Sequence, residues 1–202
     1  SVATGAATAD VGSNVYAREA NQRYEAPLPA GELVFFNGTL YSIKGGTVFE
    51  GIPFRPGYYV PINQRDAEGG GVHFLNDVQV FAPAQNGVYI ATTKTTHWFP
   101  GTRLTKTEMV QDILPYGGVP GTFFTDKKSS KVGWFSTAGV VVADITGQAD
   151  AVMADNIDLT PPASGVSSVF TDGAFHRVVS CGWCVNVETG AATSFSDYDF
   201  TS

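Results

Sequence analysis

Residues 131–153, KVGWFSTAGVVVADITGQADAVM, limit the possible folds of this chain more than any other stretch. Val132–Ser136 is an apolar run, Thr137-Ala138-Gly139 interrupts it, Val140–Ile145 is a second run, Thr146-Gly147 interrupts again, and Gln148–Met153 closes. Runs this short, rich in Val, Ile and aromatics and cut by Gly, read as successive antiparallel strands rather than as helix turns. The scheme returns along the chain. Leu33–Phe36 and Thr39–Ile43 flank Asn37-Gly38, a pair favoured in type I′ hairpins because both central residues need positive φ. Gly45-Gly46 then leads into Thr47–Phe49. Asp77–Phe99 repeats the pattern around Gln85-Asn86-Gly87 and Lys94, and Phe170–Phe200 repeats it around Asp172-Gly173 and Thr189-Gly190.

The second-turn markers Gly46, Lys94, Gly147 and Gly190 recur at an interval of roughly 40–50 residues, the period of a propeller blade. Two packed sheets joined by hairpins give much the same pattern. The expected fold is all-β, with repeated antiparallel sheets in a propeller-like arrangement and a β-sandwich as the alternative. Residues 31–202 form the repeat domain on this reading, and Ser1–Ala30 an extended N-terminal arm. The arm opens on SVATGAATADVGSN, small and polar, and ends at Pro27 and Pro29. Its first residue, Ser rather than Met, fits a processed chain or a segment of a longer one. Ile52–Gly71, rich in Pro and Gly, reads as a long connection, and Arg103–Asp112 (RLTKTEMVQD) as the one short helix.

Composition narrows the function. A formal charge of −7 argues against a general nucleic-acid binder, which needs clustered Lys and Arg to neutralise phosphates. Lys127-Lys128 with Lys131 reads as a solvated turn. No apolar run approaches the length of a membrane span. Only 15% of residues are charged, against about 25% on average, which leaves much surface open to cover by neighbours.

The motifs that carry chemistry are few. Cys181-Gly-Trp-Cys184 has the spacing of a redox dithiol or half a zinc site. Its strand-like flanks lack the helix N-terminus that lowers a thiol pKa, and a second ligand pair is missing. A hairpin turn at Gly182-Trp183, or a bulged strand with two buried thiols, explains it better. His73, His97 and His176 are scattered. The acidic pairs Asp66/Glu68, Asp155/Asp158 and Asp197/Asp199, with Asp150, sit in turn-like sequence, where Asp bonds its own backbone. The chain has neither G-x-S-x-G nor a phosphate-binding glycine loop. Trp98, Trp134 and Tyr58 are candidates to stack on sugars, although strand aromatics more often fill cores. The expectation is therefore a non-enzyme with no metal and no cofactor.

Two stretches resemble a family of tailed-bacteriophage and prophage virion proteins. Gly87–Thr102 (GVYIATTKTTHWFPGT), Gly121-Thr122 and Val132–Gly147 match strand-and-turn signatures of that family, and Trp183–Phe200 (WCVNVETGAATSFSDYDF) matches its closing segment. Ile52-Pro53-Phe54-Arg55-Pro56 fits a further position, with Gly51 where the family has Ser. The similarity runs over about Glu32–Ser202. It implies a structural component of the head–tail connection or tail, located in the virion and acting by protein–protein packing. The partners it implies are portal, tail or fibre proteins and copies of the chain itself in a ring. No catalytic residues carry over. Tyr16, Tyr24, Tyr58 and Tyr59, placed by sequence in unpaired segments, are the candidate contact residues. The rival reading is a carbohydrate-binding β-domain of a surface or secreted protein, favoured where Tyr58, Tyr59 and Trp98 lie in one shallow exposed groove.

Overall fold

A computed structural model describes residues 26–53, 55–60, 72–74, 77–104, 110–152, 160–172 and 175–195. The regular structure of these residues is antiparallel sheet, as the repeating turns predict. Four sheets form, and none closes into a barrel. The expected arm, as far as residue 25, with Tyr16 and Tyr24, lies outside the described residues. Two compact units emerge: Ser1–Asn76 with Thr102–Lys106, and Asp77–Gly101 with Thr107–Ser202.

The first unit holds one sheet, ordered β1 (Ala26–Pro27), β5 (Arg55–Tyr59), β4 (Thr47–Ile52), β3 (Thr39–Lys44) and β2 (Glu32–Phe36), with β6 (Val72–Phe74) also on β4. Asn37 and Gly38 take φ of 45° and 75°, as a type I′ turn requires, and Gly45-Gly46 close the next hairpin at 55° and 76°. Alternation sends Phe36, Tyr41, Ile43, Val48, Glu50 and Ile52 to a buried face, while Leu33 and Phe35 on β2 remain exposed. Part of the expected connection after Ile52 is a paired strand. Arg55–Tyr59 bonds to both β4 and β1, with a register shift between Gly51 and Ile52. Pro56 cannot donate to a ladder, but it falls in the stretch of β5 that lies beyond the two-residue β1. Gly51 is fixed by close approach, since a Cβ there would lie 2.6 Å from the Leu40 carbonyl oxygen. No side chain fits at this position without a shift of the backbone.

The second unit is three successive four-stranded meanders. Sheet 2 comprises β7 (Val80–Ala84), β8 (Gly87–Ala91), β9 (Thr96–Pro100) and β10 (Gln111–Leu114). Sheet 3 comprises β11 (Phe124–Asp126), β12 (Lys131–Ser136), β13 (Gly139–Ala143) and β14 (Ala149–Ala151). Sheet 4 comprises β15 (Ser167–Asp172), β16 (Phe175–Ser180), β17 (Trp183–Asn186) and β18 (Ala192–Ser194). The helix expected at Arg103–Asp112 fails at its C-terminal end. Gln111 and Asp112 pair with Trp98 and His97 as part of β10, where cross-strand bonds outweigh a weak helical pattern. Residues 105–109 of that segment lie outside the described ones.

Sheet 3 is the middle layer. Its two central strands, within residues 131–153, are buried on both faces. Val132, Trp134, Val141 and Ala143 pack against Ala82, Tyr89, Ala91 and Trp98 of sheet 2. Phe135, Val140 and Val142 point the other way, onto Val178, Val185 and Val187 at sheet 4. Face-to-face stacking of consecutive meanders is how neighbouring propeller blades pack, and the apolar run over Val140–Val142 follows from it. The Tyr89 ring lies 4.3 Å from Trp98 and 5.7 Å from Trp134, centroid to centroid. Its hydroxyl donates to the carbonyls of Asp144 (2.7 Å) and Gln148 (3.2 Å), tying sheet 2 to the β13–β14 turn.

Candidate functional site

One polar side chain caps a turn in each meander of the second unit: Thr92 between β8 and β9, Asp144 between β13 and β14, and Asn186 between β17 and β18. Thr92 Oγ1 accepts from the backbone N–H of Lys94 (3.2 Å) and Thr95 (3.1 Å). Asp144 Oδ1 accepts from the N–H of Thr146 (2.7 Å) and Gln148 (3.1 Å), and Asn186 Oδ1 from those of Glu188 (2.9 Å) and Thr189 (3.1 Å). These side chains satisfy turn backbone. Burial alone would raise the Asp144 carboxyl, but the bonds from Thr146 and Gln148 outweigh it and hold it below the usual carboxylate range.

Three further polar constellations join residues far apart in sequence. In the first unit, Glu50 is fully buried on β4, and Arg103 donates to its Oε1 through both Nε and Nη2, each at 2.7 Å. Tyr41 is the cross-strand neighbour of Glu50, and burial followed by that carboxylate pushes its hydroxyl well up. Both side chains are buried, and the pair is an internal brace of the first unit. In the second unit, buried Asp126 at the end of β11 accepts from His176 Nδ1 on β16, from Ser129 Oγ (2.5 Å) and from the Lys128 N–H (3.0 Å). Burial alone would raise Asp126; the bonds from Ser129, His176 and Lys128 reverse this and lower it. An open depression of about 240 Å³ lies beside this carboxylate, lined by Gln85, Thr125, Lys127 and Ser130 among others. Asp126 joins sheet 3 to sheet 4, and its oxygens are already occupied by these donors.

The third constellation is on sheet 2. His97 Nδ1 bonds Asp112 Oδ1 at 2.5 Å across the β9–β10 pair, and His97 Nε2 meets Thr95 Oγ1 at 3.0 Å. Two of the three scattered histidines thus acquire carboxylate partners; nothing is described of the His73 side chain.

The residues singled out from sequence divide as follows. Tyr58 and Tyr59 are half-buried in paired strand β5 rather than in an unpaired segment. The Arg55 guanidinium lies 5.3 Å over the Tyr58 ring, and Tyr59 meets Phe49 edge-on at 5.3 Å. Trp98 and Trp134 are core residues, 3% and 0% exposed. Cys181 and Cys184 are free. Cys181-Gly182 is the hairpin turn, one residue earlier than expected, with φ of 50° and 82°, and burial raises the Cys181 thiol, opposite to what a reactive thiolate needs. Asp150 is exposed on β14, while the pairs Asp66/Glu68, Asp155/Asp158 and Asp197/Asp199 lie outside the described residues. Among the described residues no group of three His, Cys, Asp or Glu is placed to hold a metal, and no helix is long and apolar enough to cross a membrane.

Apolar outer faces are the feature that sequence reasoning missed. Leu33 (58% exposed) and Phe35 (66%) share one face of β2, and Phe170 and Phe175 share the outer face of sheet 4. Period-two alternation in ELVFF and SSVFTD is the signal, but alternation does not say which face is covered.

No family model matches the chain, and no curated protein matches it. A solved structure, the extracellular domain of a candidate one component system from B. thetaiotaomicron, is similar over 90% of this chain and 24% of that one. It shares 12% identity, with a TM-score of 0.49.

Proposed function

We propose that the chain is a structural subunit of a tailed-phage virion, in the tail or head–tail region, which works by packing against other virion proteins and against copies of itself. The observation that carries this reading is the pair of exposed apolar sheet faces, Leu33/Phe35 on β2 and Phe170/Phe175 on sheet 4. Contiguous exposed apolar side chains on a folded protein mark surfaces that other proteins cover. The strand-and-turn resemblance to virion proteins supplies the setting. The polar constellations support the same reading. Turn caps and the Glu50–Arg103 brace consume their side chains internally, as a scaffold requires. The exposed groove that would favour the carbohydrate-binding reading does not include Trp98, which is buried in the core of the second unit.

Sedimentation velocity over a wide concentration range tests the proposal. The expected result is association that increases with concentration and is weakened by Leu33→Asp with Phe35→Asp, and separately by Phe170→Asp with Phe175→Asp. A chain that remains monomeric throughout, and is absent from purified phage particles by mass spectrometry, overturns it.

A further inference from the structure

We propose that Thr95 is an activated hydroxyl, a site that takes an acyl group from an activated ester, with His97 as its base and Asp112 as the group that orients the base. The assignment follows from counting hydrogen bonds. Asp112 Oδ1, 2.5 Å from His97 Nδ1, is an acceptor only, so the proton sits on Nδ1 and Nε2 is left as an acceptor. The Thr95 hydroxyl lies 3.0 Å from that Nε2. Its other neighbour, Thr92 Oγ1 at 3.3 Å, already accepts two backbone N–H groups and donates to the Thr95 carbonyl at 3.1 Å. Thr92 has no capacity left, so the Thr95 proton points to His97. A hydroxyl bonded to an imidazole that a carboxylate orients is the arrangement of a nucleophile, a base and an orienter.

The three residues are held by backbone. His97 and Asp112 are cross-strand partners on β9 and β10, and Thr95, two positions before His97, is held in the β8–β9 turn by its N–H bond to Thr92 Oγ1. The His97 side chain is 20% exposed and that of Asp112 80% exposed, so a small reagent reaches the group from solvent. In the acylation, Thr95 Oγ bonds to the ester carbonyl carbon and its proton passes to His97 Nε2. The carbonyl carbon's bond to the leaving oxygen then breaks, and the imidazolium returns the proton to the departing alcohol. The acylation calls for an ester already activated toward attack, because the turn offers little to the developing oxyanion. The N–H groups of Lys94 and Thr95 both bond to Thr92 Oγ1, so neither is free to stabilise an oxyanion.

The test treats the full chain with p-nitrophenyl acetate and maps the acetylated residues by mass spectrometry. Thr95 is expected to carry an acetyl group, and Thr95→Ser to carry it on the serine. His97→Ala is expected to lower labelling at Thr95 by about 100-fold or more, the scale of a lost general base. Asp112→Asn should lower it by a smaller factor. Lysine acetylation in the same samples, unchanged between variants, reports equal reagent, and an unchanged circular-dichroism spectrum reports an intact fold. Wild-type protein acetylated on lysines but not on Thr95 overturns the proposal, as does His97→Ala protein that labels Thr95 at the wild-type rate.

Discussion

Sheets 3 and 4 are built on one plan and live in different surroundings. Both are four-stranded meanders, both cap the turn between their third and fourth strands with an Asx side chain (Asp144 or Asn186), and both pack Val-rich strands inward. Sheet 3 has a sheet on either side, and β13 is buried at every position, whereas β16 alternates between exposed or half-buried and buried residues. The difference lies in the side chains of one face. Counted from the hairpins closed at Ser136–Gly139 and Ser180–Trp183, sheet 3 places Gly133, Phe135 and Val142 where sheet 4 places Arg177, Val179 and Asn186, so the same backbone unit serves either as an internal layer or as a terminal one. Stability should therefore be concentrated in sheet 3, and association at the outer faces.

The largest expected effect comes from the shared core. Trp134→Ala should cost about 3–5 kcal/mol in chemical denaturation, whereas Phe170→Ala on the outer face of sheet 4 should stay within about 0.5 kcal/mol of wild type. Equal costs would remove the distinction between the layers. Next comes the contact that joins them. His176→Ala removes the hydrogen bond that Asp126 makes across the sheets while leaving those from Ser129 and Lys128, and should destabilise by about 1–3 kcal/mol, with sheet 4 losing hydrogen-exchange protection before sheet 3. The smallest effect separates the two turns. Asp144→Asn imports the residue that sheet 4 uses, keeps an acceptor oxygen, and should change stability at neutral pH by less than about 1 kcal/mol. Its signature is in acid. The Asp144 carboxyl lies below its ordinary value when folded, so its stabilisation is present above the unfolded pKa of about 3.9 and is lost as pH falls through the folded one. The Asn variant lacks that part of the acid loss, which a denaturation series from neutral to acid pH measures. Identical pH profiles would mean the turn bonds do not favour the ionised form.

Local structure was legible because local chemistry determines it. Asn37-Gly38 accepts positive φ at low cost, and apolar runs a few residues long between glycines cannot be much other than strands. What joins the strands was less legible. β5 hides in a Pro- and Gly-rich segment because its partners are supplied by β4 and by Ala26–Pro27. β10 reads as helix in RLTKTEMVQD because nothing within those residues announces the pairing with β9. The polar constellations depend on the same long-range pairing. His176 meets Asp126 across 50 positions, and Arg103 meets Glu50 across 53. A histidine with a carboxylate partner looks the same in sequence as one without.

Native-state hydrogen exchange tests most directly the claim that a doubly covered sheet 3 anchors the second unit while sheet 4 is its terminal layer. The account predicts that the amides of 132–135 and 140–143 exchange only through global unfolding, and that those of β15 and β16 open at lower free energy. Sheet 4 amides protected as strongly as those of sheet 3, or more strongly, would contradict it.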